Sequence, residues 1–186
     1  MKTDPSSFKN GPLQGVRIID ATTVVLGPYA TRILADMGAE VIKIETSSGD
    51  QTRHYKPLRH EGMAGYFINL NRNKRSVSLD LKSPEGMEVL KRLLKGANAF
   101  IHNMRQQAAD RLGLGYEAVR AVNPDIVYCS AVGFGSAGPY SGRAAYDDVI
   151  QAGSGIAGLF AQVHGQPMFA PTVLCDKITG HTVAYA

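Results

Sequence analysis

The sequence predicts an α/β protein with an open, mostly parallel Rossmann-like sheet and helices on both faces. Two observations carry that prediction. Residues 16–45 read as a single β-α-β unit, and the rest of the chain keeps alternating short apolar runs with helical stretches. Parallel strands need a crossover between them, usually a helix, so this alternation builds an open sheet covered on both sides.

The first unit is the clearest. Val16-Arg17-Ile18-Ile19 is a short apolar run that Asp20 ends. Gly27-Pro28 follows, and proline suits the first helical position because its missing N–H would have no partner there. Ala30, Ile33, Leu34 and Met37 fall at the i, i+3, i+4, i+7 spacing of one helix face, and Gly38 supplies a left-handed stop. Residues 39–45 are the second strand. A unit of this kind sets the end of its first strand beside a helix N-terminus, where free N–H groups favour an anionic ligand.

The remaining elements follow in order. A turn-rich loop covers 46–50, and the apolar stretch Gly65-Tyr66-Phe67-Ile68-Asn69-Leu70 is suited to lining a cleft. Residues 76–81 alternate as a strand. Ser83-Pro84-Glu85 opens a helix with an N-cap, a first-position proline and an early acid. Met87, Leu90, Leu93 and Leu94 give that helix a buried stripe, and Gly96 closes it. A strand at 99–101 precedes short helices near 107–112 and 116–122, the latter broken by Asn123-Pro124. Residues 126–132 read as the strongest buried strand. A glycine-rich loop, a helix over 148–159 and a last helix opening near Asp176 complete the chain. That last helix reads as cut in mid-course. The expectation is the N-terminal part of a longer protein, with 1–14 a flexible tail and 15–186 one α/β domain.

Composition narrows the functional classes. At 186 residues, with 44% hydrophobic and 19% charged residues, the chain can bury a real core. No apolar run approaches the ~18 residues of a membrane span, and the polar start from Met1 to Asn10 lacks a signal-peptide core. Cys129 and Cys175 are too few for a disulfide scaffold, so a reduced, cytoplasmic protein is expected. A net charge of +4 suits a polyanionic small ligand but falls short of a nucleic-acid binder's basic face.

Single motifs decide little. Gly133-Phe134-Gly135-Ser136-Ala137-Gly138 matches the dinucleotide pattern, but Pro139-Tyr140-Ser141-Gly142 stands where the helix should open. The segment reads better as a loop lining some site. His54, His60, His102, His164 and His181 make no metal-binding spacing, and no metal is expected. No G-x-S-x-G elbow supports a serine hydrolase. Asn71-Arg72-Asn73-Lys74-Arg75 is either a solvated face or a phosphate contact. Asp176 is either an N-cap or a carboxylate poised where backbone donors converge.

The ordered set of segments is more specific. Val24-Val25-Leu26-Gly27-Pro28, the run from Asp36 to Glu45, Gly49-Asp50 and Arg53 resemble the opening of the class III CoA-transferases, the CaiB/BaiF family. Asn73-Lys74-Arg75-Ser76 with Leu79-Asp80-Leu81-Lys82 extends the resemblance. So do His102-Asn103-Met104-Arg105, Arg111-Leu112-Gly113, Asn123-Pro124, Gly133-Phe134-Gly135, Gly138-Pro139-Tyr140, Tyr146-Asp147 and Asp176-Lys177-Ile178-Thr179-Gly180. The blocks span nearly the whole chain in the family's order.

The resemblance implies transfer of CoA from an acyl-CoA to a carboxylic acid, with Asp176 in the place of the catalytic aspartate. It implies a mixed anhydride, then an aspartyl-CoA thioester. CoA is then a substrate, with no tightly bound cofactor, and 15–186 is the CoA-binding domain of a homodimer's subunit. Positions matching the family's CoA contacts are Val24, Val25, Leu79, Asn103, Met104, Arg105, Arg111, Arg143 and Tyr146. Arg105 and Arg111 are the phosphate partners, since guanidinium forks suit phosphate oxygens. Val25 stands where some formyl-CoA transferases have a glutamine, and Met104 replaces a common aromatic. A sister branch of racemases has a histidine where Tyr146 stands. A racemase needs two proton-moving groups, and tyrosine is a poor one at neutral pH, so transfer is favoured. The other readings are a catalytically silent CoA-binding fragment and an ordinary nucleotide-binding domain.

Overall fold

The computed structural model describes residues 11–186. Most of the expected tail therefore lies outside the described residues. From residue 11 the chain makes turns against the end of the first helix, with Leu13 N–H donating to Met37 O at 3.0 Å.

The sheet has five strands: β1 (Arg17–Ala21), β2 (Glu40–Glu45), β3 (Lys74–Ser78), β4 (Ala99–His102) and β5 (Val127–Ser130). Every pairing is parallel, in the order β3-β2-β1-β4-β5. The chain thus builds outward from β1 in one direction, then restarts on its other side. The order reverses between β1 and β4, and crevices open at such a reversal.

Alternation along the strands separates two cores. Ile19, Ile42, Ile44 and Phe100 face one side and meet Leu90 and Leu94 of α3 (Pro84–Lys95) and Val119 of α5 (Tyr116–Val122). Ile18, Val41 and Ile101 face the other and meet Leu34 and Ala35 of α1 (Leu26–Asp36), with Val183 of the last helix beside them. Helices therefore cover both faces, as the sequence predicts. The α3 start also follows its sequence signature, with Ser83 Oγ accepting the Gly86 N–H at 3.0 Å.

Other elements depart from expectation for identifiable reasons. The apolar stretch at 65–70 is a helix, α2 (Gly65–Asn71), with Phe67 buried and Tyr66 and Ile68 exposed. The strand expected at 76–81 is β3, two residues earlier. Leu79 runs past the sheet's edge, its N–H held by Glu45 O at 2.8 Å. The stretch expected as the most buried strand is β5, an edge strand with Val127 63% exposed. The helix expected over 148–159 is two, α6 (Asp147–Gly153) and α7 (Ile156–His164). Gly155 between them has φ +88°, a conformation glycine adopts freely and other residues do not. A short helix α4 (Gln106–Arg111) and the last helix α8 (Leu174–Tyr185) complete the described elements.

Candidate active site

The site is built around the loop from β1 to α1. Thr22, Thr23 and Val24 are each held by side chains from elsewhere in the chain. Lys43 Nζ donates to Thr22 O at 2.8 Å. Asn103 grips Thr23 on both sides, its Oδ1 accepting the Thr23 N–H at 3.0 Å and its Nδ2 donating to Thr23 O at 2.8 Å. Val24 N–H donates to Asp50 Oδ2 at 3.3 Å. Val24 adopts φ +70°, which a β-branched residue resists at a cost of about 1–3 kcal/mol. The surrounding bonds hold it there.

Beneath the loop lies a charge cluster that sequence reasoning missed. Asp20 is fully buried and takes hydrogen bonds from Thr22, from Thr31 Oγ1 at 2.7 Å and from Lys74 Nζ at 3.0 Å. Burial alone would raise its pKa, but the Lys74 and Lys43 charges outweigh burial and hold it at about 2. Lys43, also buried, pairs with Asp50 at 3.0 Å. Glu45 behaves like Asp20. Burial pushes it up, but Arg53 and Ser76 hydrogen bonds pull it down to about 2. The Arg53 guanidinium also lies 3.7 Å over the Phe67 ring. Of the basic run, Lys74 is thus committed to Asp20, Arg72 to Asp36 and Arg75 to Glu40. It is neither a solvated face throughout nor a free phosphate cradle. Lys43 could have been flagged: a lysine amid buried β-strand isoleucines requires a partner.

Above the ends of β1, β2 and β3 a cleft of about 250 Å³ opens, lined by Ala21, Thr23, Ile44, Leu79, Leu81 and Met104 among others. Leu79 and Met104 of the expected contacts line it directly, and Asn103 reaches its wall through Thr23. Arg111 lines an adjoining depression and donates Nε–H to Gln107 O at 3.2 Å. Arg105 precedes α4 and is exposed. Val25 is 4% exposed and belongs to the core, and its carbonyl oxygen accepts the Tyr29 N–H at 2.7 Å. Arg143 lies 4.8 Å over the Tyr140 ring, and Tyr146, 69% exposed, precedes α6. Neither lines the cleft.

Asp176 stands apart from that cleft. It lies in the first turn of α8, whose N-cap position is Val173, so Asp176 does not cap the helix itself. Helix α8 crosses α1 at Gly180, where an added Cβ would come within 2.8 Å of Leu26 O. Tyr29 Oη and His181 Nε2 meet beside that crossing at 2.9 Å. Asp176, four residues earlier, lies one turn before Gly180 on the same face of α8. That loop and the first turn of α1 therefore link the cleft, at Thr23, to the α8 crossing, at Leu26. Burial, with the nearby Asp147 carboxylate second, raises Asp176 to about 6. No ion pair among the described residues involves it. Among the same residues, no cluster could hold a metal ion, and no helix is long and apolar enough to cross a membrane.

Comparisons with known proteins bear on this arrangement. The chain is 42% identical over 176 residues to a succinate–glutarate CoA-transferase from Agrobacterium fabrum, covering 91% of this chain and 44% of the relative. It is 39% identical to the human succinyl-CoA:glutarate CoA-transferase, covering 96% and 41%. A formyl-CoA:oxalate CoA-transferase of Escherichia coli is also 39% identical, covering 91% and 41%. The chain thus spans less than half the length of these curated relatives. Among solved structures, a CaiB/BaiF family protein from Brucella suis superposes with a TM-score of 0.89 at 38% identity, over 95% of this chain and 48% of that one. The signature of CoA-transferase family III matches residues 13–186. The chain belongs to CoA-transferase family III.

Proposed function

We propose that the full-length protein transfers CoA from an acyl-CoA to a carboxylic acid, with Asp176 as the residue that carries the acyl group and then CoA. One observation supports this above others: Asp176 is a desolvated carboxylate with no cation paired to it among the described residues, in the first turn of a helix. A carboxylate in water is a weak nucleophile, and a partly desolvated one of raised basicity is stronger.

The steps balance without nucleotide. An Asp176 oxygen attacks the thioester carbon, and the CoA thiolate leaves, giving a mixed anhydride. The thiolate then attacks the Asp176 carbonyl, which releases the donor acid and leaves an aspartyl-CoA thioester. The acceptor carboxylate attacks that thioester and expels the thiolate. Attack of the thiolate on the acceptor's acyl carbon gives the product and frees Asp176. Backbone N–H groups at a helix start suit the oxyanions formed on the way.

In this reading CoA lies along the carboxyl ends of the strands. Leu79 and Met104 contact it in the cleft, while Asn103, Val24 and Val25 present the β1–α1 backbone. Arg105 and Arg111 meet its phosphates, and Arg143 and Tyr146 flank the acyl end. Residues 15–186 form the CoA-binding part of a cytoplasmic homodimer's subunit. The acceptor acid is dicarboxylic, as glutarate and oxalate are in the names of the relatives.

The test is a transfer assay of the full-length protein with succinyl-CoA and a panel of dicarboxylic acids. Asp176→Ala should lower turnover by about 10³-fold or more while CoA affinity stays near wild type. Undiminished turnover would remove Asp176 from the mechanism. Arg111→Ala should weaken CoA more than it weakens the acid. Equal affinity of the wild-type protein for CoA and 3′-dephospho-CoA would remove both arginines from the 3′-phosphate.

A further inference from the structure

Helix α8 lacks a cap of its own. Val173 occupies the N-cap position, and valine has no side-chain acceptor for the free N–H groups of the first turn. The acceptor comes instead from a residue 29 positions earlier: Asp147 Oδ1 takes the Asp176 N–H at 2.8 Å. The other oxygen, Oδ2, is taken by Gln151 Nε2 at 2.6 Å. Gln151 is 2% exposed and has two further bonds. Its Oε1 accepts the Ala170 N–H at 2.8 Å, and its Nε2 reaches Thr172 O at 3.2 Å. The approach to α8 is therefore tied to α6 at residues 170, 172 and 176.

An asparagine at 147 could accept the Asp176 N–H, but its amide nitrogen would then face Gln151 Nε2, donor against donor. The carboxylate serves both bonds, and it also puts a second anion beside Asp176. We propose that Asp147 is a positioning residue for Asp176: its carboxylate supplies the cap that α8 lacks, fixes the turn bearing Asp176, and keeps a like charge beside that nucleophile. This rests on the reading of Asp176 as the group that attacks the thioester. A carboxylate kept next to another holds its electrons less firmly, so it attacks a carbonyl more readily.

The neighbours leave this charge unopposed. On α6, Asp148 Oδ1 accepts the Val149 N–H. On α1, Arg32 lies over Tyr29 and pairs with Asp36 at 3.5 Å, while Tyr29 bonds His181. On α8, Lys177 Nζ donates to Thr172 Oγ1 at 2.8 Å, and burial raises the Cys175 thiol. Tyr66 of α2 is raised by burial first, then by the charges of Asp176, Tyr55 and Asp147. None of these groups sets a paired cation against Asp176.

The experiment compares Asp147→Asn, Asp147→Ala and Asp147→Glu with wild type in the full-length protein, reading kcat, KM for acyl-CoA and the pH profile of kcat. Asp147→Asn should move the acidic limb of the profile down by about one pH unit and lower kcat about tenfold, with KM little changed. Asp147→Ala, which also loses the cap, should lower kcat by about 100-fold, and Asp147→Glu should restore part of it. An unmoved acidic limb with wild-type kcat in Asp147→Asn would overturn the inference. So would equal losses in kcat and KM in all three variants with a common drop in melting temperature, which is what a structural role alone gives. Asp176→Ala run beside them separates the two readings. Turnover surviving in that variant removes the nucleophile itself, whereas its loss beside a wild-type Asp147→Asn removes only Asp147.

Discussion

Asp20 and Asp176 both belong to elements that abut helix α1, yet their surroundings drive them in opposite directions. Asp20 is the more deeply buried of the two and is nevertheless held at about 2, because Lys74, Lys43, Thr22 and Thr31 all favour its charge. Asp176 is less buried and is raised to about 6, because burial acts on it with a second carboxylate for company and no cation. Depth of burial therefore does not decide the behaviour of an acid. The partners do. A fully partnered charge fixes the backbone around it, and a desolvated one without a cation is left reactive.

The comparison breaks most sharply if Asp20 loses its partner. Lys74→Met keeps most of the side-chain volume but strands a buried carboxylate, and should destabilise the full-length protein by about 3–5 kcal/mol. Urea unfolding measures it, and a loss under about 1 kcal/mol would show that the cluster does not depend on that pair. The second effect lies in pH. Asp20 and Glu45 ionise more easily folded than unfolded, so their contribution is present above their ordinary values of 3.8 and 4.5. It is lost as the pH falls toward about 2. Asp176 has the reverse sign: it favours the folded state below 3.8, and that contribution is lost as the pH rises through about 6. The smallest effect follows from this. Asp176→Asn should match wild-type stability near pH 4 and exceed it by about 1 kcal/mol at pH 7, the shift being discounted for solvent screening. Destabilisation at pH 7 would mean that Asp176 is stabilised by a partner after all.

How much of this was legible beforehand depends on distance along the chain. The first β-α-β unit was readable because Gly38 and the 3.6-residue spacing of Ala30, Ile33 and Leu34 are local signals. Gly38 indeed has φ +99°. The run at 126–132 misled because an apolar stretch records hydrophobicity, whereas the edge position of β5 is a property of the whole sheet. Gly155 was visible as a glycine, but not as the one that divides α6 from α7. In the candidate site, Leu79 and Met104 were named through ordered motif blocks, and the cleft they line could not be read from spacing. The Asp147 tie escaped altogether, since a bond across 29 residues leaves no local pattern.

The crossing at Gly180 has a consequence for how the chain tolerates change. There the two helices touch backbone to side chain, with Leu26 O and the Tyr29 ring within 3 Å of where a methyl group would stand. Even alanine would act as a wedge, prising α8 off its neighbour and displacing the turn that bears Asp176 while every other side chain stayed intact. Asp176 owes its address to one missing carbon atom.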